Sequence, residues 1–537
     1  MKLTFIGADH EVTGSQHFLQ TQDLNILIDC GLEQGRNVYE NAELPVSYRE
    51  IDYILLTHAH IDHAGLIPQA YLRGFNGTVV STNASMELDS IMLLDSAHIQ
   101  EQEAEWANRK GKRAGKKPVE PLYTVKDAQA VLRNFRAVPY GELVELSDCV
   151  KVRFIDAGHL LGSASIEIWI TEETPDGKIE KKIVFSGDIG NKNKPLIRDP
   201  QYIAEADYVV MESTYGNRLH DAGIDHIEDL RRIIQDTLDR GGNAVFPAFA
   251  VGRTQELLYL IRHLKQDGLI RGHDGFPVYV DSPLAVQATH VFKNNLLECY
   301  DEETKALVEQ GINPIEFPGL HLSVSADDSK AINFDPEPKV ILAASGMCDA
   351  GRIRHHLKHN LWRSECAVVF AGYQAEGTLG RALLDGADSV RIFGEEIEVR
   401  AHIELMGSMS SHADQNGLFE WISAFAKKPK ELFLVHGEDE AMTAFSALIE
   451  EKLGYRPSCP YSGSVYDLSE GKYEYLAEPR FVKRELAVSV RNNAVQQALD
   501  LSLSAVARLA ESLKKGTNAD MKRLTEELRD LAARWQA

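Results

Sequence analysis

Short apolar or β-branched runs separated by turns dominate about the first 200 residues: KLTFIG, NILIDCG, YILLTHA, GTVVST, VKVRFIDAG, KIVFSGDIG and DYVVMES. Runs of this length and composition predict strands. Two longer stretches between them, MELDSIMLLDSAHIQEQEAEWANRK (86–110) and VKDAQAVLRNF (125–135), predict helices. The mixture implies sheets carrying helices on their outer faces. Polar residues fall at telling places: Asp29, His58, His159, Asp188 and Glu212 each stand just after an apolar strand-like run. Strand ends along one sheet edge converge, so distant positions can assemble one site.

From about residue 206 to 390 the rhythm becomes strand–helix alternation. HIEDLRRIIQDTLDRGG reads as a helix stopped by glycine, NAVFPAF as a strand, VGRTQELLYLIRHLKQDG as a helix and FPVYVDSP as a strand. KVILAAS, a helix near AGRIRHHLKHN, and CAVVFAGY continue the pattern, which predicts a parallel sheet in an inserted domain. Residues 391–480, with EIEVRAHIELMG and ELFLVHGE, resume the earlier style as the second part of the first domain (1–205). In 481–537, Val495, Leu499, Leu503, Val506, Ala510 and Leu513 recur at helical spacing up to Gly516, and Met521, Leu524, Leu528, Leu531 and Trp535 follow in the same manner. That predicts a C-terminal helical hairpin whose seams pack on its own body, on a second copy in a homodimer, or on a protein partner.

A length of 537 residues suggests about two to four domains. No apolar run approaches the roughly 18–20 residues a membrane span needs, and MKLTFIGADHEVTGS reads as strand and turn, not as a secretory signal. Six scattered cysteines without a C-x-x-C pair fit reduced thiols in a cytoplasmic enzyme. With 57 basic and 80 acidic residues the formal charge is 57 − 80 = −23. That sign argues against a nucleic-acid partner, because phosphate contacts need Lys and Arg. However, NRKGKRAGKKP (108–118) holds six basic residues and no acid. Composition leaves it open as a solvated loop or a landing strip for a polyanion.

The run LTHAHIDHAG (56–65) carries the chemistry. His58, His60, Asp62 and His63 place four ligand-type side chains within six positions. Neutral imidazole and carboxylate are the donors Zn²⁺ and similar ions favour, and such a loop can offer His58 and His60 to one ion, Asp62 and His63 to another. His159 in DAGHLLGS, Asp188 in FSGDIGN and His436 in FLVHGE are further candidates, each weak alone. Arg253 in FAVGRTQE and Arg352 in MCDAGRIRHH stand beside glycines at strand-to-helix turns, where a guanidinium and helix N-terminal amides can seat a phosphate or the arginine can form a structural ion pair.

LTHAHIDHAG, DAGHLLGS, FSGDIG and Asp29 in LIDCG resemble the metallo-β-lactamase fold. MESTYGNR, GSMSSHAD, LVHGE, PAFAVGRTQE, VDSPLA, AASGMCDAGR and GYQAEGTLGR resemble its β-CASP nuclease branch. The resemblance covers residues 1 to about 470 and is strongest to prokaryotic relatives of the nuclease subunit of the cleavage and polyadenylation specificity factor. It implies an αββα sandwich with an inserted, largely parallel α/β β-CASP domain. It assigns His58, His60 and His159 to one zinc and Asp62, His63 and His436 to a second, with Asp188 bridging and manganese as an alternative occupant. Asp29 becomes a supporting aspartate, and Glu212 with His412 the extra catalytic pair. Histidine at position 436, where DNA-directed members carry valine, implies single-stranded RNA as substrate and phosphodiester hydrolysis as reaction, by endonucleolytic or 5′-exonucleolytic action. A DNA-directed nuclease, a small-substrate metallo-hydrolase and a partner-recruiting scaffold are the alternatives.

Overall fold

The computed structural model describes residues 1–482 apart from Arg36, Ala114, Pro175, Asp176, Asp221, Ala222, Ile224 and Ser408, together with Lys522, Thr525 and Arg529. Contacts divide the chain into Met1–Arg480 and Phe481–Ala537. The predicted C-terminal hairpin lies outside the described residues but for those last three. Within Met1–Arg480 two sheets face each other. The first has eight strands, ordered Lys472–Tyr475, Val465–Asp467, Lys2–Gly7, Gln16–Gln20, Asn25–Ile28, Tyr53–Leu55, Thr78–Thr82 and Phe135–Val138. The second has six: Glu431–Val435, Tyr208–Glu212, Gly177–Phe185, Ala164–Thr174, Val150–Asp156 and Val144–Glu145.

Alternation explains the packing. Along Val150–Asp156 every second residue is buried, so Val152 and Phe154 join Ile166, Ile168, Phe185, Leu3, Phe5, Ile26 and Val80 in the core between the sheets. The outer face of the first sheet is covered by helices Ile67–Leu72, Asn83–Arg113 and Val125–Val131, that of the second by Gln415–Ser423 and Asp439–Leu453. The result is the expected αββα sandwich. The helix expected over 125–135 ends at Val131, and Phe135–Val138 becomes the edge strand of the first sheet.

The third sheet is wholly parallel, ordered Leu320–Ser323, Val278–Asp281, Val340–Ala343, Ala244–Pro247, Ala367–Phe370 and His402–Leu405. Its inner strands Val340–Ala343, Ala244–Pro247 and Ala367–Phe370 are buried on both faces because helices such as Arg253–Gln266 and Ile353–Asn360 cover them. The limits differ somewhat from 206 and 390. Tyr208–Glu212 pairs in parallel with Glu431–Val435 and so belongs to the sandwich. His402–Leu405, read from sequence as a return to the first domain, pairs with Ala367–Phe370 in the third sheet. The chain therefore enters the insertion after Glu212 and leaves it after Leu405, and both crossings lie close to Glu212 and His412 in sequence. Among the described residues no helix is long and apolar enough to cross a membrane.

Candidate metal centre

His58 and His60 follow Tyr53–Leu55, His60 in extended backbone, and their two-residue spacing brings both rings together, His58 Nε2 3.0 Å from His60 Nδ1. The chain then turns into the one-turn helix Ile61–Ala64, which swings Asp62 and His63 the other way. Three backbone bonds strap this turn: Cys30 N to His63 O (2.7 Å), Ser15 N to Asp62 O (2.8 Å) and Leu32 N to Ile61 O (2.9 Å). Gly31 permits the approach, since a Cβ there would lie 1.7 Å from the Asp62 carbonyl oxygen. His159 and Asp188 follow strands Val150–Asp156 and Gly177–Phe185, and His436 follows Glu431–Val435. Asp29 (φ 59°) and His436 (φ 47°) adopt left-handed backbone just past their strands, a strained turn of the kind that clusters at functional sites.

The donor atoms converge in two groups. His58 Nε2 lies 3.0 Å from His60 Nδ1, and His159 Nε2 lies 3.2 Å from that same atom. Asp188 Oδ2 is 3.4 Å from both His58 Nε2 and His159 Nε2. Ligands bonded at 2.0–2.1 Å to a tetrahedral ion stand about 3.3 Å apart, so this spacing is that of a coordination shell. The second group joins His63 Nε2 to His436 Nε2 (3.2 Å), with Asp188 Oδ1 3.3 Å from His63 Nε2 and Asp62 Oδ2 3.8 Å from His436 Nε2. Asp188 thus turns one oxygen to each group, and its Oδ1 has no hydrogen-bond donor. Facing imidazole nitrogens cannot all satisfy one another, because a neutral ring has a single N–H. Divalent cations resolve that conflict, and the donor set fits them.

Protonation points the same way. Burial holds His58, His60 and His159 below the ordinary imidazole range, His60 at about 3. Burial pushes Asp62 and Asp188 up, but the surrounding histidines outweigh it and hold both carboxyls below their usual range. Neutral imidazole and ionised carboxylate are the ligating forms. His63 differs: burial lowers it, yet the Asp188 and Asp29 carboxylates win and raise it.

A further shell orients these groups. Asp29 Oδ2 is 2.7 Å from His63 Nδ1, and Asp29 also accepts from Thr57 N (2.8 Å) and Thr57 Oγ1 (2.9 Å). Thr214 Oγ1 stands 3.1 Å from His436 Nδ1. Lys194 Nζ donates to the backbone carbonyl of His159 (2.9 Å) and pairs with Glu256 (3.2 Å), which also meets Arg253 (3.4 Å). His412 Nδ1 lies 3.2 Å from Glu212 Oε2, with Nε2 3.9 Å from Asp188 Oδ2. Burial lowers His412, but Glu212 and Asp188 prevail and push it up to about 9.

All the expected metal and acid–base residues therefore meet in one place. The two arginines part company. Arg253 donates to the Met409 carbonyl and keeps Nη1 without a hydrogen-bond acceptor. Arg352 is committed within the third-sheet domain, to Asp281 Oδ1 (2.6 Å) and the Val324 carbonyl (2.5 Å). Sequence reasoning passed over Thr57, Thr214, Lys194, Glu256 and His17. His17 lines the same small cavity as Asp29, His63 and Asp188, its imidazole lowered by burial to about 4. Thr57 in LTHAHIDHAG, Thr214 in MESTYGNR and Glu256 in PAFAVGRTQE stood inside quoted motifs without a role, whereas Lys194 and His17 lay outside every motif.

A sandwich with ligands on strand-end loops and a parallel-sheet domain inserted beside them defines a metallo-hydrolase of the β-lactamase fold. The comparisons narrow the class. The metallo-beta-lactamase superfamily matches residues 11–119, the Beta-Casp domain 254–383, and the Zn-dependent metallo-hydrolase RNA specificity domain 396–460. The chain is 36% identical to Ribonuclease TTHA0252 of Thermus thermophilus, over 84% of this chain and 96% of that one. It is 30% identical to Transcription termination factor FttA of Methanosarcina mazei (84% and 69%) and 29% to an RNase J-like protein of Methanocaldococcus jannaschii (86% and 99%). The chain belongs to the β-CASP branch of the metallo-β-lactamase superfamily.

Proposed function

We propose that this protein is a ribonuclease that hydrolyses phosphodiester bonds of single-stranded RNA at a two-zinc centre. The residues that would hold the ions are His58, His60 and His159 on one side and Asp62, His63 and His436 on the other, with an oxygen of Asp188 turned to each group. The observation that carries the reading is the His412–Glu212 pair beside Asp188, in a chain whose segment 396–460, holding both His412 and His436, matches an RNA specificity domain. Two such ions, when bound, would supply Lewis acidity, lowering the pKa of water and offsetting negative charge at the phosphate.

The chain's own residues do the rest. Glu212 fixes the His412 ring through Nδ1, and Ile189 N holds Glu212 Oε1 at 2.5 Å. His412 Nε2 then faces the centre and delivers a proton to the departing ribose oxygen. Asp29 orients His63 through Nδ1. Arg253, whose Nη1 has no hydrogen-bond acceptor and only a longer ion pair to Glu256 (3.4 Å), is the better candidate for a substrate phosphate; Arg352 we assign to bracing the inserted domain through Asp281. Manganese can replace zinc in N/O sites of this kind. Six free cysteines fit a reducing compartment, and we place the protein in the cytoplasm.

The test is incubation with matched single-stranded RNA and DNA, with and without chelator. Cleavage of RNA that the chelator abolishes is expected. Cleavage of DNA alone would move the protein to the DNA-directed members, and hydrolysis of neither would remove the nuclease reading.

A further inference from the structure

The basic tip of the long helix Asn83–Arg113 plays no part in the metal centre. The segment 108–118 carries six basic residues and no acid, so in a chain of net charge −23 everything else sums to −23 − 6 = −29. A solvated loop in so acidic a protein would be expected to find carboxylate partners. Among the described residues Arg109 has one, Glu105 at 2.9 Å, while Lys110, Lys112, Lys116 and Lys117 are exposed and form no ion pair.

The tip is also built. Asn108 Oδ1 accepts from Val119 N (2.7 Å) and its Nδ2 donates to Val119 O (2.8 Å), clamping the two ends of the segment together. Lys116 N bonds Gly111 O (3.0 Å), folding the returning chain against the helix end. The lysines are thereby gathered into one short loop. Beside them Trp106 is 61% exposed, with Lys110 Nζ 3.5 Å from its ring centroid. Clustered cations next to an exposed aromatic ring are the chemistry that holds single-stranded nucleic acid, through phosphate contacts and base stacking.

The other end of this helix touches the metal-bearing loops. Thr82 Oγ1 and Ser85 Oγ donate to the Gly162 carbonyl (2.6 and 2.9 Å), three residues beyond His159, and Asn83 Nδ2 reaches Asn295 Oδ1 of the inserted domain (2.9 Å). From Asn83 to Trp106 the helix rises about 35 Å at about 1.5 Å per residue. A stacked strand rising about 3.4 Å per nucleotide covers that span in roughly 10 nucleotides.

We propose that Trp106, Lys110, Lys112, Lys116 and Lys117 form a second RNA-holding site, an arm that grips the substrate about one helix length from the bond being cut. The arm rests on the ribonuclease reading for its role but not for its binding chemistry. RNAs of about 4 nucleotides reach the cleft alone, whereas RNAs of about 30 nucleotides reach both sites.

Two measurements on the full chain test it, comparing the unaltered protein with the combined variant Lys110→Glu, Lys112→Glu, Lys116→Glu, Lys117→Glu and with Trp106→Ala. In steady-state cleavage, the charge variant should raise KM for the long RNA by about 10-fold or more at low salt, leaving its kcat and both constants for the short RNA unchanged. The slope of log KM against log salt should fall by about 0.7 for each phosphate that a lysine no longer neutralises. In the second, the long RNA is bound to protein kept in chelator, where the charge variant should weaken binding by a similar factor and Trp106→Ala by a smaller one. Equal affinity of variant and parent for the long RNA would overturn the arm, as would an equal rise in KM on long and short substrates. If the parent cleaves no RNA, the ribonuclease reading fails by itself, and the chelated binding measurement still decides whether the arm holds RNA.

Discussion

His412 is gripped at one ring nitrogen by Glu212 and turns the other toward Asp188, and only 20% of its side chain is exposed. That geometry supports the proposed role of proton donor. His412→Ala should lower kcat by about 10²–10⁴-fold while elemental analysis finds the metal content unchanged; loss of metal would make it a ligand instead. Asp29 acts one step further out, through His63 Nδ1. Asp29→Ala should weaken zinc binding by about 10–100-fold, read by competition with a chromogenic chelator. Unaltered affinity would reduce Asp29 to a prop for Thr57. At this scale the sequence was most legible where ligands cluster, as in LTHAHIDHAG. Lys194 left no trace there because it is an ordinary charged residue until the fold buries it against the His159 carbonyl, and Glu256, although it ends PAFAVGRTQE, shows its role only once paired with Lys194.

Among elements, the joint between sandwich and insertion is held by buried charge. Lys194 and Glu256 are 9% and 8% exposed, the first in the loop after Asp188, the second on helix Arg253–Gln266. Lys194→Met leaves Glu256 with only the longer Arg253 pairing and should destabilise the fold by about 3–5 kcal/mol, measured by urea unfolding; a change below about 0.5 kcal/mol would mean that Arg253 compensates. Within the parallel sheet, Asp281 is fully buried at the end of its strand. Burial pushes its carboxyl up, but hydrogen bonds from His356 (2.7 Å), Ser329 (2.5 Å) and Arg352 (2.6 Å) outweigh it and lower the pKa to about 2. A carboxyl lowered on folding contributes stability above its unfolded pKa of about 3.9 and loses it as pH falls toward the folded value. The contribution here is about 2 kcal/mol, present from about pH 4 upward and lost between about pH 4 and 2. Asp281→Asn should flatten that part of the stability–pH curve, and an unchanged slope would assign it to other carboxylates. The strand–helix rhythm announced this sheet. It did not announce that His402–Leu405 closes it, because a four-residue strand such as HIEL carries no mark of which sheet will accept it.

For the molecule as a whole, architecture was legible because each sheet imposes its own period. Faces alternate in the two-sheet sandwich, and apolar runs are continuous in the covered parallel sheet. Strand Ala164–Thr174 escaped because Glu167 and Trp169 interrupt it; Glu167 is buried on the outer face by Arg153 (2.6 Å) and Lys182 (2.6 Å), a partnership invisible along one strand. The negative total charge argued against the very substrate the site and the relatives favour, because a total averages over local clusters such as the six basic residues of 108–118. What unites the three scales is a shell of seven donors split by the two oxygens of Asp188. Its most direct test is to strip the protein of metal and titrate zinc back while following cleavage of single-stranded RNA. The account predicts that activity returns and levels off at two ions per chain; a plateau at one ion, or cleavage that persists without any, would contradict it.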